Sequence, residues 1–329
     1  MQLSVFTVPY YNLTLEETLK KLSAWGVQAV ELGAGGYPGS GHLNVPELLA
    51  NDSAVNDLKA LLARYNISLA ALSCHGNPVH PQQEVAQTFH RDFEQTVRLA
   101  NRLGVETIVT FSGCPGDFEG AKYPNWVTCP WPEDFGKILE YQWRDVLVPY
   151  WSKMAAFAHE HGIKHIALEM HPGFSVYNPE TLLKLRKGVS DTTGPDIGAV
   201  IGANFDPSHL FWQGIDPVTA IRALKGAIYH FHAKDTHIDP YNCATNGVLD
   251  NTHYGNFQNR SWVFRTVGYG HDIKIWKDII SALRISGYDK AISIEHEDGL
   301  MSIDEGMKKA IDTLRETIIF DTQAEMWWA

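Results

Sequence analysis

The sequence predicts an α/β protein closed into a (β/α)8 TIM barrel, with long βα loops on one face. Three observations carry this: short apolar or β-branched runs alternate with longer helical periods, about eight such units follow one another, and the 329 residues contain no linker or low-complexity tract. The alternation calls for parallel strands joined by helical crossovers, and eight units in one chain favour closure over an open sheet. One domain is expected over residues 1–329, with a C-terminal extension at about 319–329.

Strands are expected at 3–7, 27–32, 67–73, 105–111, 164–169, 200–206, 227–232 and 291–295. Helical periods fill the gaps and carry recognisable ends. Thr14-Leu15-Glu16-Glu17 reads as a capping box, and Gly26 stops that helix after Trp25. Gly104 and Gly162 each stand between a helix and the next strand, as αβ turns require. Residues 33–44, 112–134 and 233–272 are too long for simple connections. All three follow strands, which places them at the catalytic end of a barrel as pocket walls or a lid. Trp126, Trp131, Tyr241, Tyr254, Phe257 and Trp262 make the last two aromatic, so packing is expected rather than disorder.

Composition narrows the function classes. Hydrophobic residues make up 44% and charged residues 20%, and no stretch reaches the roughly 18 unbroken apolar residues of a membrane span. The first residues lack a basic segment followed by an apolar one, so a cytoplasmic globular protein is expected. A net charge of -11 without a Lys/Arg cluster argues against nucleic acid as a partner but not against a small phosphorylated substrate. Cys74, Cys114, Cys129 and Cys243 are scattered without a C-x-x-C pair and read as reduced, non-catalytic thiols.

The chemistry concentrates at strand ends. Glu169, Asp206, His232 and Glu295 each close an apolar run. A lone strand-end Glu or His is ordinarily just a hydrogen-bonded residue. Carboxylates at the ends of buried strands are costly unless paired, protonated or metal-bound, and four converging side chains call for a cation. Three carboxylates and one imidazole suit Mn²⁺ first, with Mg²⁺ or Co²⁺ as alternatives. His75, after the third strand, is placed to touch a substrate. His230 and His232 share a strand face, and one of them is expected to bind. Lys234 beside Asp235 reads most simply as a local ion pair, although Lys234 could neutralise an intermediate. The glycine-rich 33–39 stretch lacks the P-loop and dinucleotide signatures and reads as flexible backbone near the substrate.

Glu169-Met170-His171-Pro172, Asp206-Pro207-Ser208-His209, His232-Ala233-Lys234-Asp235 and Ser293-Ile294-Glu295-His296 together resemble the metal-ligand motifs of the xylose-isomerase-like TIM-barrel superfamily of sugar isomerases and epimerases. The resemblance selects His232 over His230. It implies that Glu169 and Glu295 both hold the metal and exchange substrate protons, and that His209 contacts a substrate oxygen. An arginine found soon after the histidine ligand in compact epimerases is absent here, and Arg265 from the 233–272 segment is the candidate replacement.

The implied reaction is proton abstraction next to a sugar carbonyl, giving an enediolate. Reprotonation gives isomerisation or epimerisation; loss of a β-substituent gives elimination. The chain also resembles the larger subunit of C-glycoside deglycosidases, which act on 3-oxo-glycosides and would require a small β-rich partner. A metal-dependent endonuclease fits poorly with the acidic charge, and a non-catalytic sugar-binding module is the non-enzyme alternative. Adjacent Trp327 and Trp328 need a surface, either the barrel itself or another subunit, so a homo-oligomer is possible.

Overall fold

The computed structural model describes residues 1–322, 325, 326 and 328. Eight parallel strands close into a barrel: β1 (Gln2–Phe6), β2 (Ala29–Gly33), β3 (Ser68–Ser73), β4 (Thr107–Phe111), β5 (His165–Glu169), β6 (Ile201–Phe205), β7 (Ile228–Ala233) and, after an excursion, β10 (Ala291–Ile294). Around the barrel the order is β1-β10-β7-β6-β5-β4-β3-β2. The excursion contributes β8 (Asp235–Ile238) and β9 (Trp262–Arg265), an antiparallel ribbon outside the barrel that the sequence pattern did not reveal. Trp327, one of the two C-terminal tryptophans, lies outside the described residues. No helix among the described residues is long and apolar enough to cross a membrane.

The helix ends follow local chemistry. Thr14 and Glu17 form the reciprocal capping box at the start of Leu15–Ala24. Gly104 ends Gln83–Leu103 at φ +75°, a left-handed conformation that costs a side-chain-bearing residue about 1–2 kcal/mol. That helix buries Phe93, Thr96, Val97, Ala100 and Leu103, the three-and-four spacing of one face, and Phe93 meets Trp151 edge-on at 5.6 Å.

Strand ends lie within two residues of their sequence-based positions, and two of the differences matter. Asp206 leaves β6 to cap the short helix Pro207–Trp212, its Oδ1 accepting from the Ser208 amide at 2.8 Å. Glu295 stands one residue beyond β10. Both are thereby carried from the ladder to the barrel mouth.

Side chains two residues apart on a strand share a face. Ala71, Val109 and Ala167 belong to a small apolar cluster with Tyr229, and two residues further along β3 and β5 come Ser73 and Glu169. The interior thus changes from apolar to ionic toward the C-terminal end. The register shifts at Val30/Glu31 between β2 and β3, and at Ala203/Asn204 between β6 and β7, in each case beside a polar residue of that ionic layer.

Candidate metal centre

Glu169, Asp206, His232 and Glu295 come from the neighbouring strands β5, β6, β7 and β10 or their immediate ends, and each offers one ligand atom within 4.8 Å of the others. Beneath them lies Glu31 of β2, fully buried. Its carboxylate accepts from Ser73 Oγ, from Ser293 Oγ at 2.8 Å and from His230 Nε2 at 2.7 Å. His232 Nε2 lies 3.0 Å from both Glu31 oxygens. That contact assigns the Nε2 proton to Glu31 and leaves Nδ1 facing the mouth, 3.1 Å from Glu169 Oε2 and 3.4 Å from Glu295 Oε2.

A divalent cation fits this arrangement on the donors themselves. His232 Nδ1 and Asp206 Oδ2 are both buried without a hydrogen-bond partner, although charged neighbours surround them. Such orphaned atoms cost about 1–3 kcal/mol each, and here two of them belong to one four-residue set. Oxygen donors outnumber the single nitrogen, which suits a hard ion.

Lys234 enters the same space. Its ammonium lies 2.5 Å from Glu295 Oε2, 2.9 Å from Glu297 Oε2 and 3.1 Å from Asp206 Oδ2, the last off hydrogen-bond geometry. The expected local pair with Asp235 does not form. Asp235 instead accepts the amides of Thr236, Gly268, Gly270 and His271 and the Trp276 indole N–H. Strand alternation explains the correction, since neighbouring residues point to opposite faces.

Burial opposes every charge in the cluster, and its neighbours decide the outcome. Burial alone would raise the Glu31 carboxyl, but His232 and His230 hold it well below its ordinary range. Glu169 is likewise pushed up by burial and pulled well below by hydrogen bonds from His209 and His75 and by the neighbouring His232. Glu295 falls to about 2 against its burial, through Lys234 and His232. Asp206 goes the other way: burial raises it, with Glu169 and Glu295 adding to the effect over the opposition of Lys234 and His209. Burial would lower His232, yet Glu31 and Glu295 raise it well above the usual imidazole range.

The sequence-derived substrate contacts divide. His75 and His209 both reach Glu169, Nε2 to carboxylate, at 3.2 and 3.1 Å. Arg265 is held by Asp298 at 3.0 Å, on the ribbon rather than in the four-residue cluster. His75 and Glu295 line a cavity of about 420 Å³ that Phe6, Tyr37, Phe111 and Phe174 wall. The glycine-rich 33–39 segment contributes Tyr37 and Pro38 to that wall.

Sequence reasoning missed Glu31, Asn204 and the ionic role of Lys234. Asn204 donates to Glu169 Oε2 at 2.9 Å. A carboxylate inside the apolar run Ala29-Val30-Glu31-Leu32 was itself a signal, because it demanded a partner, and inward-facing His230 was available.

The chain belongs to the xylose isomerase-like TIM barrel family, whose profile matches residues 19–317. It is 38% identical over 321 residues to the uncharacterized protein YfiH of Bacillus subtilis (strain 168), covering 97% of this chain and 99% of that one. Among solved structures, a D-tagatose 3-epimerase-like protein superposes with a TM-score of 0.60 at 20% identity, over 96% of this chain and 99% of the other. The IOLI protein, solved with a bound zinc atom, gives 0.62 at 19% identity over 96% of each chain. At these identities the structural likeness establishes the fold.

Proposed function

We propose that the protein is a divalent-metal-dependent enzyme that removes the proton next to a sugar carbonyl, acting as an isomerase or epimerase. The observation that carries this reading is the cluster of Glu169, Asp206, His232 and Glu295 beside a cavity, with two buried donor atoms lacking partners. Zinc in the IOLI protein and the epimerase-like neighbour fit the same reading. Mn²⁺ remains the preferred ion, for its match to an oxygen-rich donor set.

When bound, the cation supplies Lewis-acid polarisation and neutralises developing negative charge. Glu295, whose side chain keeps 14% of its surface exposed and lines the cavity, is the base for the α-proton. Glu169, almost buried, is the second proton carrier, held between His75 and His209. Those histidines orient it, each through Nε2. Phe6, Phe111 and Phe174 reduce access of water to the reacting carbon.

Elimination from a 3-oxo-glycoside, with a small β-rich partner chain, is the second reading. It is favoured by a further aromatic-walled cavity beside His209, which a free monosaccharide would not require. Both readings are tested by incubating Mn²⁺-loaded protein with ketohexoses and with 3-oxo-glycosides in D₂O. Metal-dependent deuterium incorporation at the α-carbon is expected; its absence from every substrate sinks both. Release of the aglycone separates elimination from epimerisation.

A further inference from the structure

A second cavity, of about 430 Å³, reaches the candidate metal centre through His209, whereas Glu295 lines the first. His171 and His209 form its inner wall, and their rings lie 4.1 Å apart. His209 contacts Glu169 from this side, as His75 does from the first cavity. The two spaces are separated by little more than one layer of side chains. Phe174 faces the first, His171 and Gly173 face the second, and Phe111 packs against both Phe174 at 4.2 Å and His171 at 5.1 Å. Glu169 thus stands between a histidine of each cavity, which puts the second cavity within one side chain of the reacting centre.

We infer that this second cavity is a subsite for a second sugar ring joined to the one that reacts, so that the substrate is a disaccharide or larger glycoside. The inference rests on the sugar chemistry proposed above and extends it to substrate size. Each cavity falls within the range of about 300–1,000 Å³ common for small-ligand sites, so each is large enough for a sugar ring.

The walls specify the occupant. Trp212 and Trp262 stack face to face, 4.6 Å apart and 5° from parallel, and Tyr254 meets Trp262 edge-on at 6.0 Å. Trp262 is fixed by donating to the Val248 carbonyl at 3.0 Å, and Trp126 by edge contact with Tyr177 at 5.5 Å. Rigid aromatic surfaces of this kind match the C–H face of a pyranose. A purely apolar ring would leave the polar complement unused. The indole N–H groups of Trp126 and Trp212 have no partner, and the lining also presents Thr128 and Asn251. His171 spends Nδ1 on the Pro172 carbonyl at 2.6 Å, which leaves Nε2 as an acceptor for a hydroxyl. Hydroxyls around the edge of a ring supply both donors and acceptors.

The test is calorimetric binding to the full Mn²⁺-loaded chain, with glucose, phenyl β-glucoside and four glucose disaccharides: trehalose, maltose, cellobiose and gentiobiose. At least one disaccharide is expected to bind tenfold or more tightly than glucose. That ratio should fall to near one in Trp126→Ala and in Asn251→Trp. The second variant fills the cavity from an exposed position, so the test stays readable if the first fails to fold. The inference is overturned if no disaccharide exceeds glucose, if the advantage survives both substitutions, or if phenyl β-glucoside binds more tightly than every disaccharide. Deuterium exchange reports on the proposed reaction separately. A retained binding ratio without exchange would remove the reaction and keep the subsite, and exchange without the ratio would do the reverse.

Discussion

At the N-terminal end of the barrel each charge meets one or two partners at the surface: the Met1 ammonium with Asp289 at 2.5 Å, Lys164 with Glu106 at 2.5 Å, Arg284 with Asp289 at 2.9 Å. At the C-terminal end Glu31, Glu169, Asp206 and Glu295 converge on the imidazoles of His75, His209, His230 and His232 and on Lys234, with little access to bulk water. In the first arrangement each of these charges faces its opposite. The second leaves donor atoms unfilled and holds charges that burial opposes, which is what a barrel reserves for the end where it works.

Neutralising one carboxylate at each end should therefore have very unequal effects. Glu295→Gln and Glu169→Gln are each expected to slow α-proton exchange by on the order of 10²–10⁴-fold, measured by NMR in D₂O. A loss below tenfold for Glu295→Gln would place the base elsewhere. Next in size is Glu31→Gln, which touches no substrate but removes the acceptor that orients His232. Metal affinity should fall about 10–100-fold, read by titrating the metal-free protein. An unchanged affinity would reduce Glu31 to a structural role.

The same contrast extends to pH. Glu31 and Glu295 outweigh the burial of His232 and raise its pKa well above the usual imidazole range, so a metal competes with a proton for Nδ1. A metal must displace that proton, so affinity should weaken as pH falls, and titration in buffers of different ionisation enthalpy should show proton release. At 100 times its dissociation constant the metal should add about 2.7 kcal/mol of stability, seen as a raised Tm.

His165, at the opposite end on β5, packs against Tyr229 at 4.3 Å. Burial first, then Lys290 and Lys164, lower its pKa from 6.5 to about 4. The fold therefore favours the neutral ring. Its contribution is complete above pH 6.5 and lost as pH falls through about 4, and His165→Phe should flatten the Tm profile across that window. With the ring partly exposed, the effect is on the order of 1 kcal/mol. The smallest change is expected for Glu106→Gln, below about 1 kcal/mol by thermal denaturation, since both members of its ion pair are exposed.

The barrel was legible because its elements are local: capping residues, glycine stops and apolar runs each act within a few positions. Glu169, Asp206, His232 and Glu295 were legible as a group, because four strands in succession closing on a carboxylate or imidazole call for a common partner. What escaped was partnership across the barrel. Glu31 and His230 are 199 positions apart, and no periodicity links them. Lys234 was placed with its neighbour Asp235 because adjacency in sequence was the available cue, whereas strand geometry sends them to opposite sides. The β8–β9 ribbon escaped because its two short strands are separated by a long irregular segment.

Asp235 gives that segment an unusual independence. Its one carboxylate gathers three backbone amides from 268–271, where the excursion returns to the barrel, and Gly270 is required there because a side chain would collide with the Thr236 carbonyl. The base of the excursion is knotted while 239–261 lies beyond the knot. Such a plan lets a lineage rewrite the second cavity by insertion, deletion or substitution without disturbing the carboxylates below. Substrate range and reaction chemistry can then diverge at different speeds in one molecule, and a designer could exchange the tip of this excursion as a cassette.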